Sequence, residues 1–268
     1  FLHLDHSSTS KVISDYRINH VLFTGSVSGG KEIKKSIGTR FIGAGLELGG
    51  KDPAYVRSDC NLEHAIENLV DGSYFNSGQS CCGIERIYVD ESIYDKFIDG
   101  FKSITEKYIL GNPLEENTNL GPVVRINAAK FIRTQVSQAL NNGAKNIIDS
   151  NKFKVDDGIN CYVSPSALIE VNHSMEFMKE ETFGPTVGIM KVKNEKDAIE
   201  LMNDSAYGLT ASVWTSDKEF AQDMGLKVDT GTFFMNRCDY LDPGLAWTGV
   251  KDTGIGVTLS VLGFDHLT

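Results

Sequence analysis

The chain has 268 residues, 41% hydrophobic and 23% charged, enough to bury the core of one large or two small domains and too apolar for disorder. A net charge of −10 without a basic stripe argues against nucleic acid or an anionic membrane as partner, although backbone amides can still hold a nucleotide phosphate. No membrane-length apolar run or signal-peptide pattern appears, and five scattered cysteines fit a reducing compartment, so a cytoplasmic protein is expected.

In chain order, strand and helix patterns alternate, which predicts an α/β protein with substantial parallel pairing. Residues 1–6 read as a strand-like phrase from mid-protein and lack an initiating methionine, so a trimmed or partial chain is expected. Val21-Leu22-Phe23-Thr24 is a short apolar strand ending in Gly25-Ser26, with a helix through 31–35. Strands follow at 41–48 and 54–56. Asp59 or Asn61 caps a helix to about residue 75, with Leu62, Ala65, Ile66, Leu69 and Val70 on one face. Helices at 91–108 and 126–140 carry ordinary core stripes. Beyond residue 151, the spacing predicts extended chain at 161–171 and strands at 184–192, 211–214 and 232–236. Helices opened by Asn194 and Asp217 lie between them. A boundary falls at Gly49-Gly50-Lys51.

Three segments carry chemistry. Phe75-Asn76-Ser77-Gly78-Gln79-Ser80-Cys81-Cys82 places a cysteine just beyond a glycine turn, between a helix-like and a strand-like run. There a thiol can be exposed and activated, or simply be one of two small buried residues. Leu46-Glu47-Leu48-Gly49-Gly50 sets a carboxylate between leucines, where burial would raise its pKa toward that of a general base. Alternation equally allows Glu47 to face solvent. Glu180-Glu181-Thr182-Phe183 offers a carboxylate for a sugar diol and an aromatic ring for a planar one, or a charged surface turn. His64 and His173 stand alone, without metal-ligand spacing.

Two glycine patterns compete. Gly43-Ala44-Gly45 fails as a dinucleotide fingerprint because Leu48 occupies the third glycine position. Gly25-Ser26-Val27-Ser28-Gly29-Gly30-Lys31 fits G-x-x-x-x-G-K, yet Glu32 follows where a hydroxyl should hold magnesium, and a carboxylate there would repel phosphate.

The order of these motifs resembles the aldehyde dehydrogenase superfamily. The resemblance runs through Phe23-Thr24-Gly25-Ser26, Glu47-Leu48-Gly49-Gly50-Lys51-Asp52-Pro53, Asn76-x-Gly78-Gln79-x-Cys81, Gly111-Asn112-Pro113, Gly121-Pro122, Glu180-Glu181-x-Phe183-Gly184-Pro185, Tyr207-Gly208-Leu209-Thr210, and Gly231-Thr232 to Asn236. It implies a partial Rossmann-type cofactor domain (1–49), a parallel-sheet α/β catalytic domain (50–248) and a clipped C-terminal return segment (249–268). By the same resemblance Cys81 is the nucleophile and Glu47 the general base. Glu181 takes the nicotinamide ribose, Phe183 the nicotinamide ring, and Gly25 and Ser26 the pyrophosphate of NAD or NADP. The implied activity is oxidation of a small-molecule aldehyde to an acid through a cysteine thioester, in a homo-oligomer when intact.

The family pattern G-x-K-x-S-G-x-G-R-E departs here to Gly249-Val250-Lys251-Asp252-Thr253-Gly254-Ile255-Gly256-Val257-Thr258, without the Arg-Glu pair. By the resemblance the chain is expected to be the C-terminal, thiol-bearing part of such an enzyme. Competing readings are a P-loop-type nucleotide-binding hydrolase centred on residues 25–31, and a non-catalytic remnant that binds a partner through an open sheet edge.

Overall fold

A computed structural model describes residues 1–267. Residues 1–5, read from the sequence as strand-like, join no ladder, and helix α1 (His6–Ser14) is the first element. Asp5 Oδ1 accepts the Ser8 N–H at 2.7 Å, and this N-cap settles the first turn as helical. There follow β1 (His20–Thr24), α2 (Val27–Ile37), β2 (Gly43–Glu47), β3 (Asp52–Val56), α3 (Leu62–Tyr74), β4 (Ile84–Asp90), α4 (Tyr94–Thr105) and α5 (Ile126–Asn141). The second half adds β5 (Lys145–Asn146), β6 (Ser166–Ile169), β7 (Thr186–Val192), α6 (Glu195–Asn203), β8 (Tyr207–Gly208), β9 (Thr210–Trp214), α7 (Lys218–Gly225) and β10 (Thr232–Met235). The chain returns through β11 (Val250–Lys251), β12 (Gly254–Ile255) and α8 (Ser260–Leu267).

The strands form two main sheets. The larger has the order β10-β9-β3-β4-β7-β6-β5, parallel except where β5 meets β6. Strands β3 and β9 are buried at every position, as central strands with helices on both faces must be. On one face, Leu69 and Val70 of α3 and Phe97 and Phe101 of α4 share a core with Ile87 and Val187. On the other, Ala198 and Met202 of α6 and Ala221 and Met224 of α7 join Tyr55, Tyr88 and Val213. Cutting a buried leucine such as Leu69 to alanine would cost about 2–5 kcal/mol.

The smaller sheet, β1-β2-β12, is parallel between β1 and β2 and antiparallel between β2 and β12. Ile13 of α1 and Ile33 and Ile37 of α2 close its core over Ala44, Leu46 and Leu48. Residues 48–51 carry the chain from this sheet into the larger one, where the glycine pair suggested a boundary. The C-terminal ends of β1 and β2 thus face the segments that lead into β3, β4 and β7.

Two further readings are refined. Asn61, not Asp59, caps α3 through the His64 N–H, while Asp59 accepts the Thr215 hydroxyl. Of residues 161–171, only Ser166–Ile169 joins a ladder. The preceding backbone is engaged by side chains instead: Arg133 binds the carbonyls of Asn160 and Tyr162, and Asp156 Oδ2 accepts the Ser164 N–H.

Candidate active site

Cys81 sits in a strained turn between α3 and β4. Asn76, Ser77 and Gly78 take φ of 50°, 59° and 68°, three successive left-handed residues. A Cβ on Gly78 would lie 2.0 Å from the Gly184 carbonyl oxygen, so glycine alone fits there. The neighbouring motif side chains anchor the turn. Ser77 Oγ donates to the Gly121 carbonyl at 2.7 Å, and Gln79 Oε1 accepts the Val124 N–H at 2.8 Å. Asn76 Nδ2 donates to the Gln79 carbonyl at 3.0 Å. The Asn-x-Gly-Gln spacing therefore fixes where the thiol stands.

The two adjacent cysteines differ. Cys82 is buried, and its Sγ–H faces Asp239 Oδ1 at 2.9 Å, an oxygen that also accepts from Ser80 Oγ at 3.0 Å. Cys81 is half-buried and is the member of the pair that ionises first. The adjacent Cys82 side chain is the main group that lowers its pKa, while burial and the carboxylates of Glu47 and Asp239 pull the other way. Cys82 is correspondingly pushed far up, chiefly by Cys81.

Cys81 lies at the seam of two cavities. One, of about 450 Å³, is lined by Gly25, Ser26, Glu47, Cys81, Glu181 and Phe183, the six residues to which the resemblance gives a role. The other, of about 370 Å³, is reached past Phe75, Asp239 and Tyr240. Tyr74 is core, and Trp247 is buried with Cys82 and Leu209 behind the thiol.

Glu47 ends β2, half-buried rather than on a solvent face. Burial raises its pKa, opposed by hydrogen bonding from Thr258 and Trp247. Thr258 Oγ1 donates to Glu47 Oε1 at 2.9 Å from the position where the family pattern has its final Glu. Glu181 Oε1 accepts the Gly50 N–H at 2.9 Å. Its carboxylate lies so close to Gly49 that a Cβ there would be 2.3 Å from Oε2. Burial, and then the charge of Glu85, push Glu181 up to about 7 against the pull of Gly50 N–H and Lys51. Phe183 is 41% exposed with φ of 53°, its ring at the cavity wall.

The P-loop reading fails on geometry. Ser26 caps α2, its Oγ accepting the Gly29 N–H, so residues 27–31 are already helical and form no phosphate-wrapping loop. Lys31 pairs with Asp252 at the surface and Glu32 with Lys35. Glu85, Asp239 and Thr258 escaped sequence reasoning. Their partners stand 97, 157 and 211 residues away in the chain.

The chain matches the family model described as "Aldehyde dehydrogenase family" over residues 3–268. It is 35% identical over 263 residues to the NAD(P)+ succinate semialdehyde dehydrogenase Sad of Escherichia coli (strain K12), covering 98% of this chain and 56% of that protein. Succinic semialdehyde dehydrogenase from Streptococcus pyogenes, solved in complex with NADP+, superposes with a TM-score of 0.92 at 31% identity, over 97% of this chain and 57% of that one. Betaine aldehyde dehydrogenase from Staphylococcus aureus, solved with NAD+, gives 0.88 at 32% identity, over 95% and 51%. The chain spans about half the length of the curated relatives it matches. With this match along nearly its whole length, the chain belongs to the aldehyde dehydrogenase family.

Proposed function

We propose that the protein carrying this chain oxidises an aldehyde to a carboxylic acid with NAD+ or NADP+, with Cys81 as nucleophile and Glu47 as general base. The observation that carries this reading is the shared cavity: an activated thiol and a half-buried carboxylate open onto the same space as Gly25, Ser26, Glu181 and Phe183. The Cys81 thiolate attacks the carbonyl carbon, forming the C–S bond and an oxyanion, and the Cys81 backbone N–H is one donor to that oxygen. When bound, the dinucleotide supplies the two-electron acceptor that takes the hydride from that carbon. Glu47 then removes a proton from water, whose attack on the thioester releases the acid and returns Cys81 as thiolate.

The residues present fit such a cofactor. The first amides of α2 point from its N-terminus beside Gly25 and Ser26, a setting that favours phosphate. Ser26 also borders a second cleft of about 560 Å³ between α1 and α2, which supports room for the rest of a dinucleotide. Glu181 would accept hydrogen bonds from a ribose diol, and Phe183 would pack against the nicotinamide ring.

On this reading residues 1–49 are the rear of the cofactor domain and 50–248 the catalytic domain. Residues 249–268 are a return segment, supported by the pairing of β12 with β2 and of β11 with β8. Assembly into a homo-oligomer is supported by β10, the parallel edge strand of the larger sheet. A cytoplasmic location is supported by five free cysteines. No described helix is long and apolar enough to cross a membrane.

The test is reduction of NAD+ or NADP+ by the purified protein with a panel of short aldehydes. Cofactor affinity should rise as pH climbs through about 7, because protonated Glu181 cannot accept from both ribose hydroxyls. No reduction with any aldehyde, while Cys81 still alkylates readily, would contradict the reading. Thr258→Val supplies a second check. Removing a hydrogen bond that favours the Glu47 carboxylate raises the Glu47 pKa further, so the pH profile of p-nitrophenyl acetate turnover should move to higher pH. An unmoved profile would separate Thr258 from the base.

A further inference from the structure

We infer that Glu85, paired with Lys51, is a positioning residue that sets Glu181 and Phe183 at their distance from Cys81 and so governs dinucleotide binding and hydride transfer. The inference rests on the reading of the cavity as a cofactor site and adds a residue that touches neither cofactor nor substrate.

Glu85 is the second residue of β4, just after the thiol loop, and Lys51 follows the Gly49-Gly50 turn. Their side chains are 6% and 0% exposed, and Lys51 Nζ donates to Glu85 Oε2 at 2.5 Å. Burial lowers the pKa of Lys51, and Glu85 is the main group that offsets this. Stripping two charges of water costs several kcal/mol each, and apolar side chains of similar volume commonly serve stability as well. The arrangement is therefore better explained by what else the pair holds.

What it holds is the loop of Glu181. Glu85 Oε1 accepts the Phe183 N–H at 2.9 Å, and the Thr182 N–H is shared between Oε2 at 2.9 Å and Oε1 at 3.1 Å. Lys51 Nζ also donates to Thr182 Oγ1 at 3.2 Å and lies 5.1 Å from the centre of the Phe177 ring. No ladder pairing supports residues 179–185, and Phe183 occupies the left-handed region, which is costly for a bulky side chain. The carboxylate that receives the Phe183 N–H is the outside anchor such a conformation needs. On the other side, the Gly50 N–H, next to Lys51, holds Glu181 Oε1. One ion pair thus joins the segment after Glu47, the strand after Cys81, and the loop bearing Glu181 and Phe183.

Glu85→Gln keeps the shape but leaves Lys51 without its counter-charge and offers one acceptor oxygen where two were used. NADH binding, followed by its fluorescence, should weaken by about 10- to 100-fold, the loss of a charge-assisted hydrogen bond. Hydrogen exchange at the Thr182 and Phe183 amides should accelerate. Alkylation of Cys81 by iodoacetamide needs neither loop residue and should change less than about twofold. Glu85→Asp keeps the charge beside Lys51 but withdraws the carboxylate by one methylene, so it decides the matter if the glutamine variant does not fold. A smaller loss of the same kind is expected there. Unchanged NADH affinity in a folded variant would overturn the inference, as would parallel losses in alkylation and binding, which mark general loosening. If the unaltered protein binds no NADH, the cofactor reading fails, and exchange at Thr182 and Phe183 still decides whether Glu85 anchors the loop.

Discussion

Cys81→Ala is expected to lower aldehyde oxidation by about 10⁴-fold or more, because the covalent route disappears with the nucleophile. Cys82, one residue away, cannot stand in for it. Its side chain is buried, its S–H faces Asp239, and its pKa is driven up chiefly by Cys81 itself. NADH affinity in the variant should stay close to that of the parent, since Glu181, Phe183 and the α2 N-terminus are untouched. Cys82→Ala, conversely, should retain turnover but shift the alkylation midpoint of Cys81 to higher pH, because the Cys82 thiol is the first group that lowers it. Steady-state rates and a pH series of iodoacetamide labelling measure both. A Cys81→Ala protein that still turns over would remove the thiol from the mechanism.

Glu47→Gln carries the second large effect and separates chemistry from binding. The amide keeps the shape and can still accept the Thr258 hydrogen bond, but it cannot take a proton from water. A positioned base contributes about 10²–10⁴-fold, so turnover should fall by that range. Acylation should survive: a burst of NADH close to one per site is expected, provided deprotonation of Cys81 does not also use Glu47. The acyl-enzyme then accumulates and is visible by intact mass. Loss of the burst together with turnover would move Glu47 to a step at or before hydride transfer. Unchanged turnover would leave it a structural carboxylate.

Much of the framework was legible because it is encoded locally. The short strand signals at 54–56 and 211–214, the caps Asn61, Asn194 and Asp217, and the turn before Cys81 are each written within a few residues. Less legible were features whose reason is a partner far along the chain. Strand β12 has only two residues, with no alternation to announce it, and exists because residues 254–255 meet Glu47 and Leu46. Glu85 reads locally as an ordinary strand start, yet its partners Lys51 and Thr182 lie 34 and 97 residues away. Glu47 was open between solvent face and cleft because alternation counts faces and carries no information on what covers them. The covering segment, ending in Thr258, comes from the far end of the chain.

The most direct measurement is the order in which the five cysteines react with limiting iodoacetamide, read by peptide mapping of the folded protein without cofactor. Burial pushes the Cys60 thiol up to about 11 and that of Cys238 up to about 12, and Cys82 is raised further. Cys81 alone among these four is lowered, and it opens onto both cavities. The prediction is that Cys81 is labelled first, ahead of Cys60, Cys82, Cys161 and Cys238, and that NADH alters its rate. Uniform labelling, or another cysteine reacting first, would contradict the assignment of Cys81 as nucleophile.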